Sequence, residues 1–177
     1  MHLPLPNLCA RLMTYFCYHT TPLGELILQS REQHLCGAWF ENQTTQPKHL
    51  GQQDSEQPVF KQAIEQLSEY FSGSRKLFDL PTLAHGTEFQ QRVWQALRTI
   101  PYGETWTYGQ LAAAIGQPTA ARAVGLANSK NPLSIIVPCH RVVGSNGKLT
   151  GYAGGVQRKA MLLELEASVL LNRADAQ

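Results

Sequence analysis

The chain has 177 residues, 43% of them hydrophobic and 16% charged, with a formal net charge of +2. These values describe a globular chain with length enough for one domain or two small ones, and exclude a disordered polyelectrolyte. No apolar run approaches membrane-span length, so no membrane partner is expected; residues 1–10 are broken by Pro4 and Pro6 and lack a basic leader, which reads as a loose extension rather than a secretory signal. The four cysteines, Cys9, Cys17, Cys36 and Cys139, form no C-x-x-C pair and no dense disulfide framework, as expected of a reducing, cytoplasmic setting.

The net charge divides unevenly. Residues 1–88 carry 6 Lys+Arg against 9 Asp+Glu, and residues 89–177 carry 9 against 4. Between positions 105 and 163, Arg122, Lys130, Arg141, Lys148, Arg158 and Lys159 stand without a single acid. Such a run suits either a polyanion or a solvated basic face.

In chain order, residues 13–40 predict a small antiparallel sheet with turns at 20–24 and 31–34. His34 and Cys36 would share a strand face and, with Cys9, Cys17 or His19, could ligate a metal, but their spacing matches no familiar zinc pattern. Residues 42–57, rich in Gln, Thr and Pro, predict a long loop. Apolar residues at 60, 63, 64, 67, 70 and 71 predict a helix over 59–71, closed by Gly73. Residues 72–86 read as a linker.

The second half opens on Thr87 and Gln90, three residues apart as in a capping box, with Phe89, Val93, Leu97 and Ile100 as the buried stripe. Thr107 can cap a second helix holding Leu111, Ala112 and Ile115 and stopped by Gly116. Pro118 suits the first turn of a third helix over 119–128. Two short helices joined through a glycine resemble a helix-turn-helix. The third is nearly all small residues around one long cation, Arg122, which permits close approach to another surface or tight packing on a neighbouring helix. Asn146-Gly147 predicts a hairpin tip. Gly151-Tyr152-Ala153-Gly154-Gly155 is a loop that can bring backbone N–H groups near a ligand. Residues 157–166 predict the closing helix, with Glu164 and Glu166 near its end, where the helix dipole disfavours an anion unless a partner holds it.

The stretch with the most chemistry is 135–141. Ile135, Ile136 and Val137 predict a strand that ends at Pro138, leaving Cys139 on a stiff bend with His140 beside it. A lone cysteine is ordinarily a small buried hydrophobe. An adjacent imidazole can instead help form a thiolate, the nucleophilic form.

Pro138-Cys139-His140-Arg141 resembles the active-site motif of the O6-alkylguanine-DNA alkyltransferases, or methylated-DNA–protein-cysteine methyltransferases. Six further blocks follow that family's order and spacing: Phe89-Gln90 with Val93-Trp94, Thr107 to Ala112, Ala120 to Gly125, Asn131-Pro132, Gly151-Tyr152 with Gly154-Gly155, and Leu162-Leu163 before Glu166. The first half is similar only in outline, best at Thr21-Pro22-Leu23-Gly24. The likeness implies an α+β chain: a small ribonuclease-H-like antiparallel-sheet-plus-helix domain with linker over 1–86, then a mainly helical domain over 87–177 with a helix-turn-helix.

The resemblance also implies a reaction. The protein binds duplex DNA, rotates out an O6-alkylguanine (or O4-alkylthymine) and moves the alkyl group to Cys139, once per molecule, with no cofactor, no metal and no obligate protein partner; the family is usually monomeric. His140 and Glu166 resemble the relay that takes the thiol proton through a water. Asn131 resembles the residue joining the helix-turn-helix to the active-site turn, and Tyr108 the one that helps rotate the nucleotide and protonates the leaving guanine. Arg122 resembles the finger that fills the vacated stack. Gln90, Gln117 and Ser145 fall where family members touch the DNA backbone. The Val142 carbonyl, the Tyr152 and Ala153 backbone and Asn128 match the lining of the guanine pocket. Ala153 stands where some relatives carry serine. A non-catalytic lesion binder with this fold would lack the cysteine, and a cysteine hydrolase would need an oxyanion hole and turnover.

Overall fold

The computed structural model describes residues 13–174; the extension at 1–10, with Cys9, lies outside them. The first half is the expected antiparallel sheet with a helix against it. Strands β1 (Thr14–Thr21), β2 (Gly24–Arg31) and β3 (His34–Phe40) form a meander. At its first turn Thr21 Oγ1 accepts from the Leu23 N–H at 3.1 Å and donates to the Gly24 carbonyl at 2.6 Å. At the second, Glu32 and Gln33 both adopt positive φ, 51° and 63°, as a tight hairpin matched to strand twist requires. The expected loop over 42–57 contains a two-residue strand, β4 (Gln52–Gln53), parallel to β1. Only backbone groups make that pairing, so no side-chain pattern announces it. Helix α1 (Pro58–Phe71) buries Val59, Phe60, Ala63, Leu67 and Tyr70, and Gly73 follows it at φ 79°.

The outer edge of β3 is covered by two later segments. Leu35 donates its N–H to Pro81 and accepts from Leu83, so the end of the expected linker is pinned to the sheet. Ala38 does the same with Pro132 and Ser134, at 2.8 and 3.0 Å. The approach to the cysteine turn is thereby hydrogen-bonded to the first sheet, and one apolar core draws on both halves of the chain.

The second half is mainly helical, as expected. Helix α2 (Glu88–Leu97) carries the reciprocal Thr87–Gln90 capping box. A two-residue strand, β5 (Trp106–Thr107), leads into α3 (Tyr108–Ala114), whose Thr107–Gln110 pair makes a second capping box. Helix α4 (Ala121–Ser129) completes the helix-turn-helix after Gly116 at φ 73°. It starts two residues later than predicted: Pro118 lies in a preceding turn, closed by the Ala120 N–H on the Gln117 carbonyl. Trp94 ties α2 to α4 through its indole N–H on the Ala127 carbonyl at 2.9 Å.

Three other expectations are corrected. Residues 135–137 are not a strand. Ile136 N–H bonds the Ser134 carbonyl, Val137 N–H the Leu133 carbonyl, and Ile135 stands at φ 72°. Their β-branched side chains are buried, so burial of bulk rather than extended backbone explains the run. The Asn146-Gly147 turn forms, with Gly144 donating to Lys148, but it tips no hairpin, because the strand before it, β6 (Val142–Val143), pairs in parallel with β5. The closing helix α5 spans Val156–Ala174, so Glu166 sits in its interior and the helix-end dipole is no constraint on it.

Candidate active site

Pro138 leads into a single 3-10 turn, Cys139–Arg141, whose Arg141 N–H bonds the Pro138 carbonyl at 3.0 Å. Cys139 is only 4% exposed. Asn131, on the segment leaving α4, points its amide nitrogen at the sulfur (3.0 Å), the Val137 carbonyl (3.0 Å) and the Leu133 carbonyl (3.3 Å), while its Oδ1 accepts from the Leu133 N–H. Asn128, buried on α4, reaches the Cys139 carbonyl at 3.4 Å.

Burial pushes the Cys139 thiol up to about 11, against the pull of the Asn131 hydrogen bond and the Lys159 charge. The resting sulfur is therefore protonated at neutral pH and must lose its proton before it can act as a nucleophile, which is the step an adjacent imidazole can assist. Lys159 on α5 is fully buried, its ammonium donating to the Val142 and Thr150 carbonyls. Burial draws its pKa down to about 8, with the Cys139 charge acting the other way.

His140 and Glu166 are both fully buried and meet at 2.8 Å through Nε2 and Oε1. The carboxylate also accepts from Tyr70 Oη (2.7 Å), the Gly103 N–H (2.8 Å) and the Arg141 Nε and Nη2 (3.0 Å each). Burial alone would raise its pKa, but the bonds and charges from His140 and Arg141 prevail and hold it down to about 2. Burial lowers the His140 pKa despite Glu166, so the ring is neutral. A carboxylate only accepts, so Nε2 carries the hydrogen and Nδ1 is left as a basic lone pair. Nδ1 is buried and has no hydrogen-bond partner among the described residues.

Tyr108, first residue of α3, donates its hydroxyl to the Thr150 carbonyl at 3.0 Å; burial raises its pKa, and the Cys139 charge adds to the rise. Gly151 stands at φ 66°, and a Cβ there would lie 2.8 Å from the Tyr108 hydroxyl, so the close packing requires glycine. Lys159 thus fastens β6 to the 148–155 loop beside the tyrosine. The Val142 carbonyl, expected in the pocket lining, is the acceptor of that lysine. Tyr152 is buried and Ala153 half-buried in the same loop.

The remaining predicted residues lie outside this cluster. Arg122 is exposed on α4 and Ser145 is exposed at the Gly144–Gly147 turn, while Gln117 is half-buried before α4. Gln90 spends its side-chain oxygen capping α2. The acid-free run is also less of a surface than its spacing suggests. Arg122, Lys130 and Lys148 are exposed, but Arg141 and Lys159 are buried, and Arg158 stacks on Phe40 at 4.6 Å while bonding the Leu23 and Gly154 carbonyls. Among the described residues no group of three or more His, Cys, Asp or Glu is placed to hold a metal. Cys36 instead donates to the Gln29 carbonyl at 3.4 Å.

Family models match both halves: the ribonuclease-like domain of 6-O-methylguanine DNA methyltransferase over residues 13–84, and its DNA-binding domain over 88–168. The methylated-DNA–protein-cysteine methyltransferase of Mycobacterium leprae is 52% identical over 151 residues, covering 85% of this chain and 91% of the relative. The chain belongs to the methylated-DNA–protein-cysteine methyltransferase family. The constitutive Bacillus subtilis member is 48% identical, covering 87% of this chain and 96% of its own. The crystal structure of Mycobacterium tuberculosis OGT in complex with DNA superposes with a TM-score of 0.82 at 50% identity, covering 88% of this chain and 94% of that one.

Four groups of this methyltransferase-family site were given no role in it from sequence: Tyr70, Arg141, Lys159 and the Gly103 N–H. One signal was available. Lys159, Leu162 and Glu166 follow i, i+3, i+7 along α5 and so share a face, and charged residues on an apolar face are rarely buried without a task. Tyr70 carries no such mark, since its apolar-stripe position is that of an ordinary core tyrosine.

Proposed function

We propose that this chain repairs alkylated DNA directly, by moving an alkyl group from O6 of guanine in duplex DNA onto the sulfur of Cys139. Membership of the methyltransferase family supports the reaction class. The observation that carries it here is the pairing of a buried, amide-contacted sulfur with a neutral imidazole whose Nδ1 lone pair is unpartnered among the described residues.

The chemistry follows from those groups. The thiol proton passes to His140 Nδ1 through one bridging water, and Glu166 stabilises the imidazolium that results. Asn131 donates to the sulfur as it gains charge, and the buried Lys159 supplies an opposing charge. The thiolate attacks the alkyl carbon; the S–C bond forms as the C–O6 bond breaks, and the electron pair leaves on guanine. Tyr108 donates a proton to a guanine ring nitrogen, so that the departing base is neutral, and is itself reprotonated from solvent. The sulfur keeps the alkyl group as a thioether, no residue of the site would cleave it, and each molecule acts once without a cofactor.

The base must leave the stack to reach a sulfur this buried, at a cost of a few kcal/mol that is smallest for a damaged, poorly paired base. Arg122, exposed on the small-residue face of α4, fills the gap, with that helix in the minor groove. Gln117 and Ser145 contact the phosphates on either side; Gln90 joins them only through what its capping role leaves free. Asn128, Tyr152, Ala153 and Val142 line the pocket. O4-alkylthymine is the second substrate. Residues 1–86 and 87–177 act as two units, in a monomeric, cytoplasmic protein.

The test is to incubate the protein with duplex carrying O6-methylguanine and weigh it intact. A single methyl on Cys139, absent in Cys139→Ser, is the expected result. DNA binding without an adduct would instead mark a lesion binder, and repeated turnover a hydrolase.

A further inference from the structure

A hydroxyl from the first half of the chain reaches the reaction centre. Tyr70, in the last turn of α1, places its hydroxyl 2.7 Å from Glu166 Oε1, across 96 positions of sequence. Tyr70 is fully buried, and its ring is held edge-on to Phe71 at 5.4 Å and to Tyr102 at 6.0 Å, and tilted on Phe78 at 5.4 Å.

That oxygen is crowded. Oε1 accepts from Tyr70, from His140 Nε2 at 2.8 Å and from Arg141 Nη2 at 3.0 Å, and shares Arg141 Nε at 3.3 Å with Oε2, whose other donor is the Gly103 N–H. A carboxylate oxygen has about two lone-pair sites, so donors from three residues on one oxygen compete. Each additional donor lowers the basicity that Oε1 offers the imidazole. We propose that Tyr70 is a positioning residue for the proton transfer from Cys139: by donating to Glu166 Oε1 it holds the carboxylate's orientation and weakens its pull on His140, so that the ring stays neutral and able to accept. The inference rests on the reading of His140 as the base that takes the thiol proton.

The charged and titratable groups facing this pair come from every element packed around it. They are Tyr70 from α1, Arg141 from the 3-10 turn and Lys159 from α5, with Tyr102, from the loop after α2, behind Tyr70. Arg141, over the Tyr102 ring at 5.5 Å, holds the carboxylate ionised. Tyr70 donates to the carboxylate as a neutral phenol, and its own pKa is driven well above 10, by burial first and Glu166 second, so it donates throughout the working pH range.

The test uses the full chain and single-turnover methyl transfer from duplex O6-methylguanine as a function of pH, beside an NMR titration of the His140 ring. Tyr70→Phe keeps the ring and deletes the donor. Its expected effect is a rise in the His140 pKa, with the acid limb of the rate profile moving to higher pH by roughly half a unit. A merely structural loss would lower the rate at every pH alike. Replacing Tyr70 with 3-fluorotyrosine, a stronger donor of nearly the same size, is expected to move both readouts the opposite way, and answers the case in which Tyr70→Phe misfolds. Unmoved His140 titration and acid limb in the folded variants would overturn the role of Tyr70 while leaving the transfer reaction intact. Absence of a Cys139 adduct in the unmodified protein would instead remove the reaction itself.

Discussion

The amide nitrogen of Asn131 lies 3.0 Å from the sulfur of Cys139, and the same nitrogen reaches the Val137 carbonyl on the near side of the turn. One side chain thus holds the bend and solvates the nucleophile. An N–H donor favours the anionic sulfur over the neutral one. Asn131→Ala should therefore raise the thiol pKa further and slow alkylation of Cys139 by iodoacetamide, by about tenfold at a pH below that pKa. Global stability should fall by about 1–3 kcal/mol, because the Leu133 N–H loses its buried acceptor. Denaturant titration and a pH series of alkylation rates check the two effects separately.

Acid should loosen the core in two stages. His140 is lowered from an ordinary 6.5, so the unfolded chain takes up its proton first, and stability present above pH 6.5 falls as pH drops below it. Glu166, ordinarily near 4.5, is held down to about 2, so its contribution is full above pH 4.5 and is lost between about 4.5 and 2. Both act in the same direction. Thermal unfolding followed from pH 7 to pH 3 should show a falling Tm, and Glu166→Gln should flatten the lower part of that curve while lowering stability at pH 7. A Tm independent of pH below 4.5 in the unmodified protein would contradict the ion pairing.

Gly151→Ala tests how closely the loop packs on Tyr108. The position has φ 66°, and its new Cβ would press on a hydroxyl 2.8 Å away. We expect a loss of roughly 1–2 kcal/mol in stability and a slower methyl transfer from duplex, because the hydroxyl leaves the Thr150 carbonyl. Tyr108→Phe should reproduce the rate loss without the strain.

Arg122→Ala should weaken repair of duplex far more than reaction with free O6-methylguanine base, by about tenfold or more on duplex. The side chain is exposed and outside the buried cluster, so the fold should be unaffected. Equal losses on both substrates would remove the finger role.

Local features were legible in the order of residues. The Thr87–Gln90 capping box and the Thr107 cap formed where predicted, and Gln110 makes the second a box too, since each is a contact over three residues that needs no distant partner. The meander and α1 followed from periodicity in the same way. The failures share a cause. The run at 135–137 looked like a strand because β-branched residues suit strands, yet burial among distant elements dictated its backbone. Glu166 looked like a helix-end anion because its helix was taken eight residues too short, when four donor groups account for it.

The sequence by itself picked out a thiol beside an imidazole after a proline, through residue type and spacing along one chain, and its resemblance to the alkyltransferases pointed to an asparagine eight residues earlier and a carboxylate on the closing helix. Only the tertiary structure decided that the thiol rests protonated, that Lys159 and Arg141 are internal charges rather than surface ones, and that Tyr70 joins the carboxylate from the far half of the protein. Burial and long-range hydrogen bonds set those properties, and both arise only once segments remote in sequence have packed together.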